Sequence, residues 1–223
     1  TANETVTMPG GDYFVGSGPN VDMPAEKPIR TFTLTGFRIA VTPVTNLEYR
    51  FFLERTGHQA PPWIDHPEFG RDDHPVVGIT WDEAVAYADW WEGRLATEIE
   101  WEIAAKSGEK LRSYPWGDEE PGAITANIDG IGSVTTPVRA YPNGRNPVGL
   151  WDMCGNVWEW CADTWDANLY RNIADGTIDP CNNGSGKKHS IRGGSFDSLS
   201  TQGRCAFRSS APGNERRADI GMR

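Results

Sequence analysis

Apolar and polar residues alternate first, then recur at helical spacing, then lose period. "VTMPGGDYFVGS" (6–17) alternates and closes on glycines, which predicts a strand running into a turn. In "RTFTLTGFRIAVTPVT" (30–45), Phe32, Leu34, Phe37, Ile39 and Val41 lie mostly at period two, which predicts a strand pair or one bent strand. Three helix starts then share one grammar. Thr45-x-x-Glu48, Thr80-x-x-Glu83 and Thr97-x-x-Glu100 are capping boxes, in which the hydroxyl accepts from a free amide while the glutamate reaches back. They predict helices over roughly 46–56, 81–92 and 98–107, stopped by Gly57, Gly93 and Gly108. Residues 109–223 hold short apolar runs among Gly, Pro, Asn and Asp, which predicts irregular loops with a few strands. Loops that long need fastening by metal ions, disulfides or aromatic packing. No linker or repeat interrupts the pattern, so residues 1–223 read as a single domain.

Composition sharpens this picture at three points. The net charge of −10 argues against a nucleic-acid surface and favours attraction of cations. No apolar run reaches the ~18 residues of a membrane span, and no signal peptide is visible. The four cysteines, Cys154, Cys161, Cys181 and Cys205, include no C-x-x-C and leave disulfides and free thiols equally open. Compartment (secreted, periplasmic or cytoplasmic) and oligomeric state stay open too.

The densest chemistry lies in "GLWDMCGNVWEW" (149–160), where Asp152 and Glu159 sit among three tryptophans. Gly155-Asn156 disfavours a regular helix, and a loop can bend both carboxylates onto one point. A hard cation such as Ca²⁺ would suit such a loop, taking backbone carbonyls as well as carboxylates. Pairing of the acids with arginines is the other reading.

This stretch resembles the signature of the formylglycine-generating, or sulfatase-modifying-factor, family. "MPGGDYFVGS", "VTPVTNLEYRFFL", "HPVVGITWDEAVAYADW", "GRLATEIEWEIAAK", "YPWGDE", "TANI", "IRGGSF" and "RCAFRSS…IGMR" follow the family order across essentially the whole chain, with Ala96 in place of the usual proline. The resemblance implies an α+β domain of C-type-lectin-like fold, poor in regular secondary structure and stabilised by Ca²⁺. It places one calcium site on the side chains of Asp152 and Glu159 with the carbonyls of Gly155 and Val157. It places a second at Asn127 and Ile128, where the only acid before Pro137 is the adjacent Asp129.

In the enzymes of that family, two cysteines after "RGGS" bind copper(I) and oxidise a client cysteine to formylglycine. Here "RGGSFDSLSTQGRCAFR" puts Ser198 at the first position and no cysteine at the second. A hydroxyl cannot replace a thiolate on this soft metal, so copper is not expected. Ser195 matches the family's serine near the oxygen site. His58, His66 and His74, with Asp65, Asp72 and Asp73 nearby, form a loop segment without fixed metal-ligand spacing. Arg192, Arg204, Arg208 and Arg223 read as partners for buried acids, with Glu98, Glu100, Glu102 and Glu159 available; Arg216 and Arg217 read as exposed.

The expected function is binding of a peptide, protein or small-molecule ligand in the family groove, at Trp158, Ser195, Phe196, Asp197, Ser198, Leu199 and Arg216. Two alternatives stand beside it. One is an oxidative or other maturation enzyme of a biosynthetic pathway on the same scaffold. The other is a retroelement-diversified binding protein, whose tail pattern the C-terminus also resembles.

Overall fold

The computed structural model describes residues 4–223. Pro9-Gly10 splits the first alternating segment into β1 (Thr5–Met8) and β2 (Gly11–Val15), and the second segment gives β3 (Arg30–Leu34) and β4 (Phe37–Ala40). These strands pair across the split, β1 with β4 and β2 with β3, forming two antiparallel two-stranded ribbons. Phe32, Leu34 and Ile39 all point into the core.

The three helices are α1 (Asn46–Thr56), α2 (Trp81–Trp90) and α3 (Glu98–Ala105), each with a complete capping box. Gly57 closes α1 in the left-handed conformation, with its N–H donating to the Leu53 carbonyl. The other two stops differ from the expectation. Glu92 (φ 57°) and Ser107 (φ 58°) take the left-handed position, and the next residues, Gly93 and Gly108, donate to Ala88 and Ile103. Those are the long bonds of a Schellman close, so each glycine lies one residue beyond the turn it was expected to make. Helices α2 and α3 are correspondingly shorter than expected.

The second half is mostly loop around a four-stranded sheet of order β7-β6-β5-β8: β5 (Trp158–Thr164), β6 (Lys188–Arg192), β7 (Ser209–Pro212) and β8 (Ile220–Gly221). A one-turn helix, α4 (Leu169–Asn172), lies between β5 and β6. No helix among the described residues is long and apolar enough to cross a membrane.

Helix α3 is buried along its whole length, including its acids. Glu102 explains how a charge survives there. Its Oε1 accepts from the Gly16 amide (2.6 Å) and Lys106 Nζ (2.6 Å), and its Oε2 from the Tyr170 hydroxyl (2.7 Å) and Arg192 (2.5 Å). Burial alone would push this carboxyl up, but Lys106 and Arg192 hold it down at about 2. One turn earlier, Glu98 takes a two-pronged bond from Arg208 and one from the Ser190 hydroxyl. Arg204 pairs with Glu26, an acid outside the expected set, and Glu100 pairs with Arg94. All four cysteines are free thiols, so ion pairs and indole hydrogen bonds fasten the loops where disulfides could have. Trp160 donates to the Ile79 carbonyl and Trp81 to that of Cys161, tying β5 to α2 and the residue before its cap.

Candidate functional site

Gly155 and Asn156 form a clasp between three loops. The Gly155 amide donates to the Gly193 carbonyl (2.8 Å), the Asn156 amide to that of Asn127 (2.8 Å), and the Phe196 amide to that of Asn156 (3.1 Å). The Asn156 side chain accepts from the Thr136 amide (2.9 Å) and donates to its carbonyl (3.2 Å). Both residues have positive φ, 77° and 64°, and a Cβ on Gly155 would stand 2.3 Å from the Asn127 carbonyl oxygen. Only glycine permits that approach. The clasp thereby gathers the Asn127–Ile128 segment, the 152–157 loop and the "RGGS" loop into one place.

The carboxylates of the opening stretch have different surroundings. Glu159 receives both arms of Arg223 (2.7 and 2.8 Å) and the Trp101 indole N–H (2.6 Å). Asp152 accepts from the Arg139 amide (3.0 Å), and burial, helped by the charge of Glu159, pushes its carboxyl up to about 6. The Asn127 side-chain oxygen is buried without a hydrogen-bond partner, although its amide nitrogen donates to the Val134 carbonyl. An under-compensated carboxyl and an orphaned amide oxygen are the donors a hard cation uses. Asp152, of the first expected site, and Asn127, of the second, each offer a donor that fits Ca²⁺, whereas Glu159 already receives positive charge from Arg223. The Ile128 carbonyl accepts from the Ile131 amide, and Val157 is buried beside the clasp. Among the described residues no three His, Cys, Asp or Glu side chains converge on one point, so any metal site here leans on amide and backbone oxygens.

Across the clasp lies a hydroxyl pair. The Ser195 amide donates to Ser198 Oγ (2.9 Å), and the two hydroxyl oxygens are 3.0 Å apart. The Ser195 hydroxyl donates to Asp219 Oδ2 (3.2 Å), which directs the Ser198 proton toward Ser195. Arg217 grips Asp219 through Nε (2.8 Å) and a terminal nitrogen (2.6 Å). The chain Ser198–Ser195–Asp219–Arg217 is thus a polar relay, with Ser195 fully buried and Ser198 nearly so. The thiols offer no substitute: burial pushes Cys154 well up and Cys205 up to about 12, so both stay protonated at neutral pH.

Zippered bonds join the two loops flanking the relay. The Asp129 amide donates to the Ser198 carbonyl, the Gly130 amide to that of Phe196, and the Ser200 hydroxyl to Asp129. This leaves Ile131 and Leu199 exposed on the rim, 45% and 64% accessible, with Asp197 also exposed and Phe69 against Phe196 (6.0 Å). Of the residues expected to meet a ligand, Ser195, Phe196, Asp197, Ser198 and Leu199 belong to this loop. Trp158 lies beneath, its amide donating to the Asp219 carbonyl and its ring 6.1 Å from Phe207. Arg216 is occupied by Glu83 and the Gly78 carbonyl; its neighbour Arg217 is the arginine that serves the relay. Asp219, Phe69 and Ile131 did not stand out in the sequence, and Arg217, expected to be exposed, is half-buried on Asp219. The tail motif around Ile220 marks the region of Asp219 but not its hydroxyl partner. His58 and His66 bond locally, and His74 is buried against Thr135.

The sulfatase-modifying factor enzyme 1-like domain model matches residues 1–223. The formylglycine-generating enzyme of Streptomyces coelicolor is 35% identical over 98% of this chain and 87% of its own length. Among solved structures, PvdO from Pseudomonas aeruginosa superposes with a TM-score of 0.84 at 25% identity, covering 99% of this chain and 92% of that one. Treponema denticola variable protein 1 superposes with a TM-score of 0.80 at 21% identity, covering 98% and 92%.

Proposed function

The chain belongs to the sulfatase-modifying factor enzyme 1-like family, and from that premise we propose that it is a Ca²⁺-stabilised binding member that holds a peptide or small ligand over the Ser195–Ser198 loop, without copper-dependent formylglycine formation. One observation carries this reading. The place where the resemblance calls for a copper-binding thiol is filled by a serine hydroxyl, hydrogen-bonded to Ser195 and through it to Asp219. Hydroxyls so held are poor ligands for a soft ion. The exposed Ile131 and Leu199 beside them suit an apolar side chain of a ligand, and Asp197 suits a cationic or amide group.

Calcium at Asp152, and a second ion at Asn127, would each take nearby backbone carbonyls and hold the clasp and so the shape of that loop. The polar relay favours a second reading, a maturation enzyme on the same scaffold, in which the serine pair passes a ligand proton to Asp219.

Aerobic incubation with a cysteine-containing peptide, with and without Cu(I), tests the first reading. Unchanged peptide together with calcium as the metal retained by the purified protein supports it. Formation of formylglycine would overturn it. Turnover of a candidate metabolite, abolished by Asp219→Asn, would establish the second.

A further inference from the structure

Strand β4 runs along the floor of a groove of about 530 Å³ that is separate from the Ser195 loop. Ile39, Val44, Ala88 and Met222 form buried parts of its lining, and Trp91 and Ala96 also line it. The strand has one partner, β1, and no described strand lies along its other edge. The Val41 amide donates to the Glu4 carbonyl, and the register places Ile39 opposite Val6 and Phe37 opposite Met8. In an antiparallel ladder the hydrogen-bonded pairs alternate, so Phe37, Ile39 and Val41 face β1 while Arg38 and Ala40 turn their backbone groups outward. The Ala40 carbonyl bears this out, since it accepts from Arg223 on the outer side (3.0 Å). The edge therefore offers the N–H and C=O of Arg38 and the N–H of Ala40.

The side chains narrow the occupant. Arg38 is exposed and bonds only to the Thr5 hydroxyl, with no carboxylate partner among the described residues. Of the other charged groups that line the groove, Arg94 pairs with Glu100 and Arg223 with Glu159, while the exposed Glu92 lies next to Trp91 in the chain, so the acidic preference belongs to the position opposite Arg38. A second copy of β4 paired antiparallel across this edge would bring Arg38 near its own symmetry mate, and like charges facing across strands repel. An acidic residue on an added strand would complement it instead. We propose that the β4 edge is a docking site for an extended acidic peptide segment of a partner protein. Such a segment pairs its backbone with Arg38 and Ala40, lays an apolar side chain toward Trp91, and sets a Glu or Asp against Arg38.

The test uses the whole chain, ¹⁵N-labelled, titrated with the capped peptide Ac-Thr-Val-Glu-Val-Thr-NH₂ and with its Lys-for-Glu counterpart. Binding of the acidic peptide should shift the Arg38 and Ala40 amides, with a preference of up to about fivefold over the basic one. The exposed substitution Arg38→Glu should reverse that preference. Absence of shifts at these amides, or a preference unchanged by Arg38→Glu, would overturn the proposal. Shifts confined to residues 195–199 would do the same while supporting the reading of the serine loop, so the two stand or fall separately.

Discussion

Replacing Glu102 by glutamine keeps the shape of the side chain and removes its charge from the centre of the molecule. In the native protein each carboxylate oxygen accepts two hydrogen bonds, from Gly16 and Lys106 on one and from Tyr170 and Arg192 on the other. The glutamine amide turns one acceptor into a donor facing donors and leaves Lys106 and Arg192, both fully buried, short of negative charge. Removing one partner of a buried ion pair costs about 3–5 kcal/mol. The carboxyl itself gives a second route to the same quantity. Held at about 2 instead of 4.5, it contributes roughly 3 kcal/mol at neutral pH. Because the folded-state value is the lower one, that contribution is complete above pH 4.5 and is lost as pH falls toward 2. For a chain of this size the substitution should lower Tm by about 6–20 °C. Differential scanning calorimetry at pH 7 measures the shift, and repeating it down to pH 3 should show a shallower acid slope in the variant. A Tm change below about 3 °C, or an unaltered acid slope, would refute the idea that this carboxylate neutralises the buried cations.

Other perturbations separate the remaining ideas. Calcium at a hundredfold its Kd should stabilise the protein by about 2.7 kcal/mol, and a chelator titration followed by calorimetry should reveal it; Asp152→Asn should abolish most of the response. In calcium-free protein the sign at Asp152 reverses. Burial raises its carboxyl to about 6, so its contribution is full below pH 4 and lost as pH rises through 6, and Asp152→Asn should stabilise the calcium-free protein at pH 8. Gly155→Ala should cost at least about 2 kcal/mol in urea unfolding, because the methyl meets the Asn127 carbonyl and the backbone has positive φ. Ser195→Ala, by contrast, deletes the link between Ser198 and Asp219. It should weaken ligand capture, measured by calorimetric titration, more than it lowers Tm.

The parts of this fold that were legible in the sequence are those governed by local rules. A capping box is satisfied within four residues, so Thr45, Thr80 and Thr97 announce their helices whatever surrounds them. Helix ends were read less well, because Glu92 and Ser107 adopt a conformation that glycine adopts more easily. Nothing local identifies them; the closing bonds from Gly93 and Gly108 hold the turns. The candidate site was half legible for the same reason. Its loop, residues 195–199, sits next to a motif with a strong signature. Asp219 and Arg217 come from another segment altogether, and only the three-dimensional path of β8 brings them to Ser195.

The two acids of the opening stretch show why charge patterns alone leave function undecided. Asp152 and Glu159 are seven residues apart and close enough for Glu159 to raise the carboxyl of Asp152. Yet Arg223, the last residue of the chain, reaches Glu159 with both arms and also donates to the Trp151 carbonyl beside Asp152. The arginine thus gives its two-pronged bond to one acid and its further hydrogen bonds to the Ala40, Val41 and Trp151 carbonyls. Among the described residues, Asp152 feels the charge of Arg223 but has no direct guanidinium bond, and the Asn127 side-chain oxygen is buried without a hydrogen-bond partner. The two carboxylates are thus partnered differently: Glu159 is bonded directly by the Arg223 guanidinium, whereas Asp152 accepts from the Arg139 amide. Under the proposed function, a hard ion would complement Asp152, the carboxylate without a direct guanidinium bond.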